Sequence, residues 1–181
     1  YGKATAMWEK SAELDPSFPT VWRNLSLAYY NKQGEALKAR ECMERAYSLD
    51  TSDARILLEL DQLYRKLNMA VEERFAFLDA HREVAFNRDD LYVEYCTLLN
   101  DMGRYEEALD LIMAHKFHPW EGGEGKVTTQ YAVALTQMAR KAMNGGDAAK
   151  AKELLERALV FPHNLGEGKL EGAKDNNIYY Y

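Results

Sequence analysis

No run in this chain approaches the roughly 20 apolar residues that a bilayer-spanning helix needs, and no secretory leader is visible at its start. The sequence opens inside a helical pattern without an initiator Met. The expectation is therefore that the true N-terminus lies elsewhere and that the compartment is cytoplasmic, with secretion left open. Only 4 prolines and 11 glycines interrupt 181 residues, which favours long helices. Alternating β-branched runs are missing, so no strand is expected. The two cysteines, Cys42 and Cys96, lack the paired spacing of a zinc or redox motif and fall inside apolar helical patterns, so they read as buried free thiols. Positive charge is scarce. Lys and Arg number 23 against 29 Asp and Glu, a net charge of −6, which counts against a general phosphate-binding surface while allowing a local basic patch. No Ser-His-Asp set, catalytic carboxylate pair or metal signature stands out, so no catalytic residue, metal or cofactor is expected.

What is present is periodicity, on a composition that is 47% hydrophobic and can fill a core. Trp22, Leu25 and Tyr29 are spaced three and then four apart. The spacing recurs at Leu57, Leu60, Tyr64 and at Tyr92, Tyr95, Leu99, each time 35 residues on, and again at Leu135, Met138, Ala142 after 43. Such positions share one helical face. A turn residue follows each stripe: Gly34, Asn68, Gly103 and Gly145-Gly146, residues that accept a left-handed helix end. Second helices then carry small or apolar faces: Ala39, Met43, Ala46; Ala108, Leu109, Ile112; and Ala151, Leu155, Ala158. A lone helix with Ala4, Trp8 and Ser11 precedes them. Full burial of Trp22 would make its truncation to Ala cost about 3–5 kcal/mol.

The segments Pro19–Tyr30 with Gly34, Gly103–Leu109, and Gly146-Asp147 through Ala158-Leu159 resemble tetratricopeptide (TPR) repeats. The resemblance implies an all-α fold, an α-α superhelix or TPR-like solenoid of antiparallel helix pairs, here a fragment of a longer array. The expected map over residues 1–181 is a lone helix at 3–14, pairs at 19–49, 54–86, 89–115 and 127–160, long Gly-rich loops at 116–126 and 161–175, and the start of a further helix at 176–181. Two departures stand out. The middle second helix has Glu73 or Arg74 where a small residue is expected, leaving Phe75, Leu78 and Ala85 to pack it, and the first repeat has one extra residue before Gly34.

In TPR proteins the first helices line a groove. Carried over by position, the resemblance places Arg23, Leu27, Tyr30, Asn31, Arg55, Leu58, Gln62, Arg65, Lys66, Val93, Thr97, Asn100, Thr136 and Arg140 there. The middle is basic and would suit an acidic peptide or neighbouring acidic domain, although the same charges also fit a solvated face. The family's chaperone-tail clamp needs Lys and Asn where Arg23 and Leu27 stand, so that specialised role is not expected.

Two long loops depart from the repeat, Phe117–Val127 and Phe161–Leu170. Each starts with Phe, carries His and Pro, and ends Gly-Glu-Gly-Lys plus an aliphatic residue, with the copies 43 apart. A phosphate loop is disfavoured, because Trp120 stands at the first glycine position and Val127 follows Lys126. His118 with Glu121 and Glu124 lacks a second nearby His or Cys for a metal. Two compatible readings remain. One is an ordered Ω-like loop packed over Trp120. The other is a recognition edge formed by His118, Trp120, Glu121, Glu124 and Lys126 with His163, Glu167 and Lys169. The loop sequences also resemble the repeat region of large bacterial proteins that carry an uncharacterised β-rich, mutarotase-like domain, which implies a carbohydrate-related parent. The functional expectation is a non-catalytic protein-binding scaffold, with an accessory domain packed on a carbohydrate-active domain of the same chain as the alternative. The expected partner is a protein or peptide, with no nucleic acid and no membrane, and with self-association through the cut ends open.

Overall fold

A computed structural model describes residues 2–167 and 176–180. It is built of α-helices, with no strand among the described residues. The order is α1 (Gly2–Leu14), α2 (Pro19–Ala28), α3 (Ala36–Leu49), α4 (Ala54–Lys66), α5 (Val71–Ala80), α6 (Arg82–Ala85), α7 (Asp89–Asp101), α8 (Tyr105–Ala114), α9 (Lys126–Asn144), α10 (Ala148–Ala158) and α11 (Asn176–Tyr180). The chain folds as two compact units, Tyr1–Arg88 and Asp89–Tyr181.

In the first unit α1 packs on α2, α2 on α3, α3 on α4, and α4 on α5 and α6. Val21, Leu25, Ala39, Met43, Ala46, Leu57, Leu60 and Leu78 form its interior. Ser26 donates from Oγ to the Ala39 carbonyl at 2.6 Å, a bond that requires the α2 and α3 backbones to lie close. Two second helices, α1 and α3, hand over to the next first helix through the same device. Asp15 accepts from the Ser17 amide and hydroxyl at 3.0 and 2.6 Å, and Asp50 accepts from those of Ser52 at the same distances. These hydrogen bonds hold both aspartates below the ordinary aspartate value. Pro19 then opens α2, where its missing N–H costs nothing. Asp53 caps α4 by accepting from the amides of Arg55 and Ile56 at 2.8 and 3.1 Å.

The extra residue of the first repeat is absorbed by a π-helical turn over Tyr29–Gln33. The amide after the left-handed turn residue donates to Tyr64 O from Met69, to Leu99 O from Arg104 and to Ala142 O from Asp147, each spanning five residues. In the first repeat Glu35 donates to Tyr29 O, one residue further on, at 3.0 Å. The carbonyls of Tyr29, Tyr64, Leu99 and Ala142 thus hold equivalent places.

Several register expectations need correction. The buried residues of α1 are Thr5 and Ala12, with Ala4 exposed and Trp8 only partly covered. Trp22 is half-buried, its indole N–H donating to Pro16 O at 2.9 Å. In α10 it is Leu154, not Leu155, that is buried beside Ala151 and Ala158. The second helix of the middle pair breaks at His81 into α5 and α6. Arg74, at the position expected to be small, is buried and donates two bonds to the fully buried Asp61 of α4, at 3.0 and 2.6 Å.

In the second unit α7 packs on α8 and α9, and α9 on α8, α10 and α11. Leu91, Tyr92, Val93, Tyr95, Cys96, Leu98 and Leu99 are all buried, so α7 is covered on nearly every side. Tyr92 and Tyr131 tie first helices to second ones by donating to the carbonyls of Leu111 and Arg157 at 3.0 and 3.1 Å.

Candidate functional site

Two sets of residues carry surface chemistry, one in each unit. In the first, α2 and α4 both pack on α3 and bring Arg23 to Glu59. The Arg23 guanidinium makes two parallel bonds to that carboxylate, and Arg55 Nε lies 3.4 Å from it. Hydrogen bonding to Glu59 raises the Arg23 pKa. Arg23 is therefore a half-buried, neutralised anchor rather than a free groove cation. Glu59 has no counterpart among the expected residues; its place three residues before Gln62 and four after Arg55, on one face of α4, was the signal available. About two turns along, Lys66 Nζ stands 5.2 Å from the centroid of the Tyr30 ring. Asn31 and Arg65 are exposed and Gln62 is half-buried. The surface carries Arg55, Arg65 and Lys66 beside the Arg23–Glu59 pair.

In the second unit Asn100 is buried. Its Nδ2 donates to the backbone and side-chain oxygens of Gln130 at 3.1 and 2.9 Å, and its Oδ1 has no partner. Thr136 Oγ1 is likewise buried and unpartnered. Arg140 is exposed and donates to Gln137 at 3.1 Å.

The two loops dock on one another. Phe117 N donates to Asn164 O at 2.8 Å. Asn164 Nδ2 reaches back to the carbonyls of Ile112 and His115, both at 2.9 Å, and so closes the C-terminal end of α8. Gly166 sits against Phe117, where an added Cβ would fall 2.6 Å from the carbonyl oxygen, and its φ is +77°. Glu167 accepts from Gly125 N with both carboxylate oxygens at 3.0 Å, which places a negative charge at the N-terminus of α9. The first loop is anchored in a similar way. Asp89, at the start of α7, accepts from His118 N and from His115 Nε2, each at 2.7 Å. Burial pushes the Asp89 carboxyl up, but the bonds from His115 and His118 outweigh it and hold the group below its ordinary value. His115 stacks on Tyr92 with ring centroids 4.1 Å apart, and Phe117 is buried beside them.

Between the loops lies a cavity of about 250 Å³ lined by His118, Pro119, Trp120, Glu121, Gly123, Glu124, Val127, Leu165, Gly166 and Glu167. Five of the expected loop residues thus meet around one space. Lys126 and His163 are exposed and do not line it. Lys169 lies outside the described residues. Among the described residues no group of His, Cys, Asp and Glu is arranged to hold a metal, and no helix is long and apolar enough to cross a membrane.

Antiparallel helix pairs with this turn geometry define the fold of TPR solenoid proteins. The chain is similar over 99% of its length to YrrB, a TPR protein with an unusual peptide-binding site, at 19% identity and a TM-score of 0.60, with 81% of that chain covered. It is similar to MamA at 16% identity and a TM-score of 0.56, covering 86% of this chain and 85% of that one. A further structure, MamA MSR-1 C2, matches at 23% identity and a TM-score of 0.55, covering 87% and 88%. No family model matches the chain.

Proposed function

We propose that this chain is a non-catalytic protein-interaction module whose first unit receives an acidic segment of a peptide or neighbouring domain. The observation that carries the reading is the collection of Arg55, Arg65 and Lys66 on α4 beside Tyr30 and Asn31, in a protein whose net charge is −6. The half-buried Gln62 and the Tyr30 ring supply hydrogen-bonding and apolar contacts beside the charges. The likeness to YrrB supports peptide binding as the class of activity. Replacing Arg65 and Lys66 together with Glu should weaken binding of a labelled acidic peptide at least about tenfold. Equal binding by that variant would remove the first unit from the reading.

A scaffold role in a larger bacterial protein, in the cytoplasm, fits this activity. The alternative, an accessory domain packed on a carbohydrate-active domain of the same chain, is supported by the loop sequences alone. Exposed Met7 and Leu14 on α1, and Tyr179 and Tyr180 on α11, favour self-association.

A further inference from the structure

The loop cavity of the second unit has a chemistry opposite to that of the α4 face. Its interior is apolar, with Trp120, Pro119, Val127 and Leu165 contributing, and three glutamates, Glu121, Glu124 and Glu167, stand around it. Leu165 and Val127 are fully buried and give it a fixed floor. Trp120 is held by its own loop. A Cβ on Gly123 would lie 2.2 Å from the indole Cε2 and 2.4 Å from Cδ2, so the ring rests directly on the glycine backbone. The second loop fixes the opposite wall, through Glu167 on Gly125 N and Asn164 on the end of α8. The walls are thus built by backbone hydrogen bonds and buried apolar anchors, and do not need a ligand to form.

Charge and size select the occupant. Glu121 and Glu124 are exposed, and no ion pair among the described residues engages either of them. Glu167 accepts from the Gly125 amide and the Thr128 hydroxyl at the cavity wall. Among the described residues, His118 is the one lining residue able to carry positive charge, and its Nδ1 faces Asp89 at 3.4 Å. A volume of about 250 Å³ is below the range of roughly 300–1,000 Å³ usual for drug-sized ligands, and fits one long side chain. A cation beside an indole face gains from the ring quadrupole. A planar guanidinium adds stacking and a fork of donors that matches a carboxylate.

We propose that this cavity is a docking site for an arginine side chain of a partner protein, gripped between Trp120 and the carboxylates of Glu121 and Glu124 above a floor of Leu165 and Val127. The module then has two faces of opposite preference, an acidic ligand on the first unit and a basic one on the second. The site is independent of the α4 reading and can stand if that reading fails.

The test is a titration of the isotopically labelled chain with N-acetyl-arginine amide, followed by NMR, with N-acetyl-citrulline amide as the isosteric neutral control. Arginine should shift the Trp120 indole N–H and the Gly122, Gly123 and Gly125 amides saturably, and citrulline should not. Glu121→Gln with Glu124→Gln, at two exposed positions that leave folding intact, should weaken the response about tenfold or more. Lys66→Glu, in the other unit, should leave it unchanged. Equal shifts with arginine and citrulline, an absence of saturable shifts at these signals, or an unaltered titration in the double glutamine variant would overturn the proposal.

Discussion

Arg74 and Asp61 form a two-bonded ion pair sealed from water, the guanidinium of α5 donating to the carboxylate of α4 at 3.0 and 2.6 Å. A repeat fold usually brings such helices together over a small side chain. Here the space is filled by a charged pair whose partners satisfy one another. Removing one partner leaves a buried charge without its two-bonded counter-ion. Arg74→Ala or Asp61→Ala should therefore each destabilise the chain by about 3–5 kcal/mol. Replacing both with apolar residues of similar volume should recover much of that loss. Urea unfolding of the two single variants and the double one measures this, and additive losses would contradict it.

The loop interlock makes a separable prediction. Asn164→Ala leaves the carbonyls of Ile112 and His115 unsatisfied and should cost about 1–3 kcal/mol. Gly166→Ala meets both a positive φ of 77° and the Phe117 carbonyl, and should also destabilise. Amide exchange at Gly125 should speed up in Glu167→Gln, because the acceptor of that amide loses its charge. Hydrogen exchange read residue by residue checks all three.

Asp89 sets an acid limit on the first loop. Its folded pKa lies below the ordinary aspartate value, so it stabilises the native state above the unfolded pKa. That contribution is lost as pH falls through the folded value. Stability should drop between about pH 5 and pH 2, with loosening at His118 and Phe117, and Asp89→Asn should flatten that part of the profile. Denaturation at stepped pH for both proteins gives the comparison.

Burial pushes the thiols of Cys42 and Cys96 up to about 11 and about 12. Neither should react with a thiol reagent in the native state at neutral pH, and both should react at full rate in denaturant. Rapid labelling of the folded chain would show that one of these helices opens.

The helix pairs were legible because their stripes recur at fixed spacing and their turns need residues that accept positive φ. The stripe residues Leu57, Leu60, Tyr92, Tyr95 and Leu99 are buried, and the turn residues Gly34, Asn68, Gly103 and Gly146 adopt positive φ. The extra residue before Gly34 was visible, although its solution as a π turn is a matter of backbone hydrogen bonding that spacing alone does not specify. Trp22 matches the stripe but lies half-exposed, because its indole N–H turns toward Pro16 O. Leu154 and Leu155 are neighbours, and periodicity cannot choose between them without the partner helix. The α4 cations were legible as types, while the clamp by Glu59 was not, since it depends on α2 and α4 both packing on α3. The matching Gly-Glu-Gly-Lys copies gave the two loops away. That Glu167 of one copy would hold Gly125 of the other followed only from their docking.

The most direct test of the account is a titration of the labelled chain with a poly-glutamate peptide, observed residue by residue at low and high salt. Saturable shifts should gather on Tyr30, Asn31, Arg55, Gln62, Arg65 and Lys66, and should fade as salt screens the charges. Binding that is indifferent to salt, or shifts that avoid α4, would contradict the account.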